Sequence, residues 1–549
     1  MSEKSNDDSI FENPIDRREL LKRGGALGAA AAAAGALGGQ AGAAINKVAR
    51  HSAKPKKGGH VTWALEQDPG HIAPFGGTLT MTRTAQEPMY ESLLQWDKNL
   101  NIQPALATGY TVIDKKTIDF HLRKGVKFHN GKELTADDCV YSFAQQLNPP
   151  LPGSIATVGQ VPAIDSTEAR GKYTLRMHLK APDARIYGFL AWQRYSAIVP
   201  RDMYQNLNAA TQGIGTGPYK LDGSYVPNDH LSYVRNTAYW NPALPYLDAI
   251  NYRIITDEQA RIAALRAGAI DGATLTVDSA NSLKGQSNLH VLKGLTAAFR
   301  ELQMTIKAGE NKPWADRRVR QAVNMAINRQ DIINKVYNGE GQYSGHVAAG
   351  YGPWVIPQAE LKAKWEKYDL PTAKKLMAAA GFSKGFDVSL STFSTPLDFP
   401  AIATLIKSHL SKIGINVNIV PQDPASFGAN NGKGAFEWDL TARGMRGDVD
   451  GYVAEFNPTG ALGKTVYNTW FNGYTNKRMW KLVGNGRITL DTKKRLPMYQ
   501  ELDRLLMTEL IEVPLISVNK YQVVNAKLHD MYVAFTDFNT GLVRNAWMG

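Results

Sequence analysis

The amino-acid sequence predicts a large α/β protein, and three observations support this prediction. The chain has 549 residues, a length that corresponds to two to four structural units. Hydrophobic residues make up 43% and charged residues 21% of it, a balance typical of a globular protein with a large core. Strand and helix patterns alternate along the chain, and one strand–helix–strand unit indicates a partly parallel sheet.

Individual strands and helices can be placed from the spacing of their apolar residues. The segments TIDFHLR (117–123) and YTLRMHL (173–179) carry apolar side chains at every second position, which is typical of half-buried strands. The segment DEQARIAALRAGAIDGA (257–273) predicts a capped helix that ends at Gly268.

The strand–helix–strand unit lies in the second half of the chain. FDVSLSTF (386–393) and INVNIV (415–420) both predict strands. Between them, apolar residues recur at helical spacing: Ile402, Leu405, Ile406, Leu410 and Ile413. Consecutive strands joined by a helix pair in parallel, so this part of the chain is expected to form an α/β unit.

The N-terminal 45 residues predict an export signal. Arg17 and Arg18 precede an uncharged run from 24 to 46 that contains Ala41-Gly42-Ala43, a small-residue cleavage pattern. The run is long enough to span a bilayer as an anchor, but it consists mostly of Ala and Gly. It resembles a twin-arginine signal peptide over residues 1–45. No cysteine follows the run, so lipoprotein anchoring is not expected.

Charge and cysteine content argue against several classes of protein. The formal net charge is +13, but Lys and Arg are scattered and form no basic helix, so we expect no nucleic-acid partner. The single cysteine, Cys139, cannot form an intrachain disulfide and is expected to pack in the core.

The sequence contains patterns that resemble enzyme or metal-site motifs, but their context or spacing does not fit those motifs. GFSKG (381–385) matches the pattern around a nucleophilic serine, but a helix precedes it and a strand follows it, the reverse of the required order. The eleven histidines form no HExxH pattern, and Asp448, Asp450 and Glu455 lack the spacing of a calcium loop. We expect no metal, no cofactor and no enzymatic activity. An exported hydrolase with carboxylate chemistry is the alternative.

Eight segments together form a recognisable series of motifs. The most specific is IDFHLRKGVKFHNGKELTADDCVYSF (118–143). The others are YESLLQWD (90–97), GTGPYKL (215–221), YWNPALPYLDAINYRII (239–255), ALRAGAIDGA (264–273), DRRVRQAVNMAINRQDII (316–333), AKKLMAAAGF (373–382) and EVPLISV (512–518). In their order along the chain, these segments resemble the extracytoplasmic solute-binding proteins of family 5, the peptide/nickel type that serves ABC importers.

This resemblance implies a bilobal, periplasmic-binding-protein-like α/β fold of type II, in the large three-part class, with a ligand cleft between the lobes. Lobe 1 would comprise residues 57–298, with an inserted domain at about 98–196, and lobe 2 residues 299–513. Residues 514–549 would return to lobe 1. The GVKFHNGK signature is expected to be scaffold, with Lys127, His129 and Lys132 on a surface turn.

The resemblance also implies a function. A monomeric extracytoplasmic protein would capture a small solute, with a short peptide as the expected ligand. It would deliver that solute to the membrane permease of an ABC importer and its ATPases. The cleft would close around the solute, and contacts to both lobes would favour the closed population.

One segment, DLTARGMRGDVDGYVAEF (439–456), aligns with a ligand-contacting segment of that family. Asp448 stands where peptide-binding members place the aspartate that meets the ligand's α-ammonium group. Met445 stands where the family usually has tryptophan. We therefore expect Asp448 and Met445 to contact the ligand, although a structural turn role for Asp448 is the alternative.

Three arginines are further candidate ligand contacts. Arg443 and Arg446 carry forked donors that suit ligand carboxylates. They could equally form ion pairs with Asp450 or Glu455. Arg300, just past the expected hinge, is a weaker candidate.

Overall fold

The computed structural model describes most of the chain beyond the N-terminal segment. The described residues are 54–74, 80–98, 101–147, 164–208, 210–394, 396, 398–444, 448–453, 456–458, 467–533 and 541–549. The predicted signal at residues 1–45 lies outside them. Among the described residues, no helix is both long enough and apolar enough to cross a bilayer.

The strands of the described residues fall into one large sheet and three smaller ones. In chain order they are β1 (His60–Leu65), β2 (Leu94–Trp96), β3 (Ile102–Pro104), β4 (Ala107–Val112), β5 (Thr117–Leu122), β6 (Ile164–Ala169), β7 (Thr174–Leu179), β8 (Tyr219–Val226), β9 (His230–Arg235), β10 (Ala249–Ile254), β11 (Gly272–Leu275), β12 (Leu289–Met304), β13 (Gly341–Tyr343), β14 (Phe386–Phe393), β15 (Ile415–Gln422), β16 (Trp438–Arg443), β17 (Glu512–Asn525), β18 (Leu528–His529) and β19 (Trp547–Met548).

Helices connect and cover these strands. In chain order the α-helices of the described residues are α1 (Thr80–Gln86), α2 (Ala136–Leu147), α3 (Ile186–Leu190), α4 (Gln193–Ser196), α5 (Met203–Asn206), α6 (Glu258–Arg266), α7 (Val277–Ser282), α8 (Arg317–Ala326), α9 (Arg329–Tyr337), α10 (Gln358–Glu360), α11 (Leu370–Ala379), α12 (Asp398–Ser411), α13 (Pro424–Gly432), α14 (Lys477–Ile488) and α15 (Thr492–Glu509). Short 3-10 segments lie at Pro313–Ala315, Gly352–Trp354 and Val449–Tyr452, and π-helical turns at Leu361–Trp365, Tyr467–Phe471 and Gly541–Asn545.

The large sheet runs through the whole molecule. Its strand order is β15-β14-β16-β12-β17-β11-β1-β10-β9-β8, with β13 also paired to β17. The predicted strand–helix–strand unit is confirmed, because β14 and β15 pair in parallel with α12 between them. A separate antiparallel sheet, β4-β5-β7-β6, contains both strands predicted near residues 117–123 and 173–179.

The buried apolar side chains of the described residues form four clusters. The largest extends from Phe299 to Val518. A second extends from Leu93 to Ile198 around the four-stranded sheet and includes Ala297. The other two draw on the rest of the chain. We call the part around the largest cluster lobe 2 and the rest lobe 1. The predicted boundaries at 298/299 and 513/514 stay predictions, because β12 and β17 run through both lobes.

Strands β12 and β17 join the lobes. They pair antiparallel from Leu289 opposite Asn525 to Gln303 opposite Glu512. The register breaks between Leu295 and Phe299, where β12 carries extra residues relative to its partner. Such a bulge bends a strand and weakens the local ladder. The two strands therefore bend most easily at the junction between the lobes.

The GVKFHNGK turn is only partly as predicted. Lys127 and Lys132 are exposed, but His129 is partly buried. Its Nε2 lies 3.0 Å from the carbonyl oxygen of Gly217, and the backbone N–H of Gly215 donates to its Nδ1 at 3.4 Å. A Cβ at Gly215 would collide with the carbonyl oxygen of Met89, which explains the glycine there. His129 therefore braces the GTGPYKL loop instead of lying on a surface turn.

Several local predictions are confirmed. Cys139 is fully buried. Helix α6 is capped by Asp257, whose side chain accepts from the backbone N–H of Ala260, and the chain turns at Gly268 with a φ of +67°. Around Ser383, α11 comes before and β14 comes after, so the serine does not lie on a strand-to-helix elbow.

His129 should make stability depend on pH. Burial lowers the pKa of His129 to about 4, against an ordinary value of 6.5. The folded state therefore favours the neutral ring, whose stabilisation is complete above pH 6.5 and is lost as pH falls towards 4. The full contribution is about 3 kcal/mol. The variant His129→Gln keeps a hydrogen-bond donor but does not titrate. We expect its free energy of unfolding to fall by about 3 kcal/mol less than that of the wild type between pH 7 and pH 4. Urea unfolding at pH 7, 6, 5 and 4 measures it.

The exposed Lys127 of the same turn supplies the control. Lys127→Gln should keep the wild-type pH dependence between pH 7 and 4, because it changes an exposed side chain of the same turn and leaves His129 in place. Equal pH dependence in the His129→Gln variant and the wild type would contradict the bracing role.

Candidate functional site

The parallel strands of both lobes end at the junction between them. In lobe 2, β16 is parallel to β14 and ends at Arg443, opposite Phe299 at the break in β12. In lobe 1, β11 is parallel to β1 and ends with Leu275 opposite Tyr521, near the same point of β17. Ligands of open α/β sheets bind outside the carboxyl ends of parallel strands. The candidate site is therefore the space between the lobes.

Asp448 follows β16 in the chain and lies in lobe 2. It caps the 3-10 turn Val449–Tyr452, because its Oδ1 accepts from the backbone N–H of Asp450 at 2.8 Å. Both of its oxygens also accept from Arg495: Nη1 donates to Oδ2 at 2.7 Å and Nη2 to Oδ1 at 2.5 Å. This is a bidentate ion pair, the strongest geometry for these two groups.

The surroundings of Arg495 hold its guanidinium in place. Its Nε donates to the carbonyl oxygen of Gly486 at 2.8 Å. The guanidinium lies 4.7 Å from the ring centroid of Tyr499 and 5.6 Å from that of Trp354. Burial by itself would lower the pKa of Arg495, but the Asp448 carboxylate outweighs it and raises that pKa. Arg495 is therefore a fixed cation.

Asp450 is completely buried beside this pair. Its carboxylate accepts from Arg487 Nε at 2.9 Å and from the Tyr499 hydroxyl at 2.7 Å. Arg185 Nη1 lies 3.6 Å from its Oδ2. Burial would raise the pKa of Asp450, but the Arg487 and Arg185 charges lower it below its usual value. Asp450 is thus an ionised interior carboxylate.

Arg185 reaches Asp450 from the other lobe. It belongs to the segment before α3, in lobe 1, and also pairs with Asp183 at 2.5 Å. The neighbouring backbone N–H of Ala184 donates to the carbonyl oxygen of Arg487 at 2.6 Å. The lobes are therefore joined here by an ion pair and a backbone hydrogen bond.

The residues of this region form a balanced set of charges. We call them the charge cluster: Asp183, Arg185, Asp448, Asp450, Arg487 and Arg495. It contains three carboxylates and three guanidiniums. Lobe 2 supplies two carboxylates and two guanidiniums, and lobe 1 supplies one carboxylate and one guanidinium. The members of the cluster within each lobe therefore carry no net charge.

A second set of contacts joins the lobes near the C-terminal end of α9. Lys293 of β12 pairs with Glu340 at 2.6 Å. The Asn338 amide donates to the Asp278 carboxylate, in α7 of lobe 1. The structure thus has cross-lobe polar contacts at two separate places.

Arg443, one of the predicted ligand contacts, forms ion pairs inside lobe 2. It is buried in lobe 2, where Nε pairs with Glu301 at 3.1 Å and Nη2 with Glu512 at 2.5 Å. The sequence left open a ligand carboxylate, Asp450 or Glu455 as its partner; in the structure its ion pairs are with Glu301 and Glu512, and Glu455 lies outside the described residues. The physical reason is that β16 ends beside β12, so this side chain points into the lobe. Its guanidinium is not available to a ligand in this conformation.

The other arginine candidates differ from one another. Arg300 donates to Asp398 Oδ2 from Nε at 2.9 Å and from Nη2 at 2.6 Å. The Tyr337 hydroxyl donates to the same oxygen at 2.6 Å. Arg300 therefore lies near the junction but is held by Asp398, the first residue of α12. Met445 and Arg446 lie outside the described residues.

The described residues contain no group of three or more His, Cys, Asp or Glu side chains that could hold a metal ion.

Sequence reasoning missed four members of the charge cluster: Asp183, Arg185, Arg487 and Arg495. The only signal for them was indirect, since Asp448 and Asp450 close together in sequence require counter-charges once buried. Nothing in the sequence showed which arginines supply them.

Removing Arg443 should destabilise the protein strongly. Arg443→Met leaves Glu301 and Glu512 buried without their cation, and breaking such a pair costs about 3–5 kcal/mol. Arg478→Met is the control, because Arg478 pairs with Glu501 on the surface, where loss of a pair costs at most about 1 kcal/mol. Urea unfolding at pH 7 measures both, and equal losses would contradict the account of Arg443.

Comparison with known proteins agrees with this architecture. The family model of bacterial extracellular solute-binding proteins, family 5 middle, matches residues 101–477. The glutathione-binding protein GsiB of Salmonella choleraesuis (strain SC-B67) is 26% identical over 458 residues, which cover 81% of this chain and 86% of GsiB.

Solved structures show the same fold. The ABC transporter-associated periplasmic binding protein DppA from Helicobacter pylori, in complex with the peptide STSA, matches with a TM-score of 0.73 at 24% identity, covering 90% of this chain and 98% of DppA. The periplasmic binding protein AgaA from A. tumefaciens R10, in complex with agropinic acid, matches with a TM-score of 0.72 at 24% identity, covering 89% and 99%. These matches confirm the predicted bilobal, periplasmic-binding-protein-like fold. The chain belongs to the bacterial extracellular solute-binding proteins, family 5.

Proposed function

We propose that this protein captures a short peptide or a peptide-like solute between its lobes and delivers it to the permease of an ABC importer. The observation that carries the proposal is the junction itself, where parallel strands of both lobes end beside the two strands that join them. Relatives named for glutathione binding and solved with a peptide support a peptide-like ligand.

Closure of the lobes explains how such a site would work. The β12 bulge lets the lobes move as units, and the contact between Arg185 and Asp450 forms only when they are close. A solute that touches both lobes adds to these contacts and shifts the population towards the closed form. The permease would then recognise that form.

The location and partners follow from the same proposal. Residues 1–45 would direct export as a twin-arginine signal, and the protein would act as a monomer outside the cytoplasm without a lipid anchor. Its membrane partner would be the permease with its ATPases.

Asp448 and Asp450, the two acids just after β16, lend no support to the alternative of an exported hydrolase. Carboxylate chemistry needs an acid with a raised pKa and a second, accessible carboxylate. Asp448 is paired with Arg495, and the pKa of Asp450 is lowered. Neither residue suits proton transfer.

A thermal-shift screen of di- and tripeptide mixtures, each with free and with acetylated amino groups, tests the proposal. A true ligand should raise the melting temperature in proportion to the logarithm of its concentration, because binding to the folded state stabilises by mass action. Mass spectrometry of the same mixture should find the ligand unchanged. Conversion of the stabilising compound into a product would contradict a binding-only role.

Loss of the cross-lobe ion pair should weaken capture. Arg185→Gln removes a charge contact made only in the closed form, and a loss of about 1 kcal/mol corresponds to about fivefold weaker binding. Calorimetry with the solute found in the screen measures it. Arg176→Gln is the matched control, because Arg176 pairs with Asp119 inside lobe 1 and should leave affinity unchanged. Equal affinity of Arg185→Gln and the wild type would contradict a role for this contact in closure.

A further inference from the structure

We propose that the site selects solutes whose amino group is blocked or absent, because Arg495 already occupies the Asp448 carboxylate. This inference rests on the proposed function and narrows its ligand class to acylated or otherwise amine-free peptide-like solutes. It replaces the expectation that Asp448 binds a ligand ammonium.

The hydrogen bonds of Asp448 leave little room for another donor. Its Oδ1 accepts from Arg495 and from the Asp450 backbone, and its Oδ2 accepts from Arg495. A carboxylate has about four acceptor positions, so one remains, on Oδ2. A single neutral N–H, such as that of an amide, can use this position.

Arg495 is not free to give way to a ligand. Its side chain is only 6% exposed, and that of Asp448 is 16% exposed. Moving Arg495 aside would also break its hydrogen bond to Gly486 and its packing against Tyr499 and Trp354. An ammonium group would therefore have to approach an ion pair that is already complete.

Charge balance points in the same direction. The charge cluster has three acids and three arginines, so it presents no net negative charge to a cation. An ammonium placed against the charge cluster loses its hydration, and the six members of the cluster offer it no excess negative charge in return. A neutral acylated nitrogen avoids this penalty. The cluster therefore disfavours a free amino terminus.

Other carboxylates near the strand ends also accept hydrogen bonds from the protein. In lobe 2, Asp398 Oδ2 accepts from Arg300 and Tyr337, while Asp398 Oδ1 is buried and has no hydrogen-bond partner among the described residues. In lobe 1, Asp68 accepts from the Tyr225 hydroxyl and two backbone N–H groups. Glu66, just beyond β1, is partly exposed, and it is the carboxylate that the experiment must examine separately.

The test compares two mixtures that differ only at the amino group. One is a mixture of tripeptides with free α-amino groups, and the other is the same mixture after N-acetylation. Each is incubated with the full-length protein, unbound peptide is removed by desalting, and the retained peptides are quantified by mass spectrometry. We expect at least tenfold greater retention of the acetylated mixture.

Variants identify the residue that causes the preference. Arg495→Met keeps the apolar contacts but releases Asp448, and it should raise retention of the free-amine mixture at least tenfold. Adding Asp448→Asn to Arg495→Met should abolish this gain. Arg487→Met is the matched control, because its partner Asp450 is fully buried and cannot meet a ligand. If Arg495→Met does not fold, the inference is decided by whether the wild-type protein retains more of the acetylated mixture than of the free-amine mixture.

The outcomes separate the two proposals. Wild-type retention of the free-amine mixture at or above that of the acetylated mixture would overturn the inference and leave the proposed function intact. If the Glu66→Gln variant no longer retains the free-amine mixture, the carboxylate that binds the amino group is Glu66, in lobe 1. If the Arg495→Met variant folds but retains no more of the free-amine mixture than the wild type, the proposed role of Arg495 is overturned. Retention of neither mixture would overturn the peptide-like ligand itself, and the inference with it.

Discussion

The pairing of β12 with β17 is the constraint on which the rest of the structure depends. These two strands lie in the middle of the large sheet and carry the chain from one lobe into the other. Because they are antiparallel and paired along both lobes, the strands that flank them on each side point their carboxyl ends at the same place. The cleft is therefore a consequence of sheet topology, and the break at Leu295–Phe299 places the easiest bend beside it.

The charge cluster fits this arrangement because it divides evenly between the lobes. When the lobes separate, Arg185 keeps Asp183, and Asp448 and Asp450 keep Arg495 and Arg487. Neither lobe is left with an unpaired buried charge, so opening avoids the large penalty that such a charge would carry. The contact between Arg185 and Asp450 can then form and break at modest cost, as a protein that must both capture and release its solute requires.

Local features of the fold could be predicted from the sequence, because they depend on neighbouring residues. The alternation in β5 and β7, the Asp257 cap of α6 and the helix between β14 and β15 are all set within short segments. The site was predicted less well. Asp448 was found by its place in a recognised segment, but its partner Arg495 lies in a distant helix whose side chains no local pattern brings to it. The ligand-contact role of Arg443 stays a prediction, and its pairing with Glu301 and Glu512 could not be read from the sequence because both acids are distant from it along the chain.

Solution scattering tests the central claim, that solute binds between lobes that close about β12 and β17. The radius of gyration of the protein is measured with and without a saturating concentration of a compound that raises its melting temperature. The account predicts a smaller radius of gyration with the solute, in the wild type and in the Arg176→Gln control alike. The reference sample is first freed of any co-purified solute by partial unfolding and refolding. An unchanged radius of gyration at saturation would then contradict closure of the lobes around the solute.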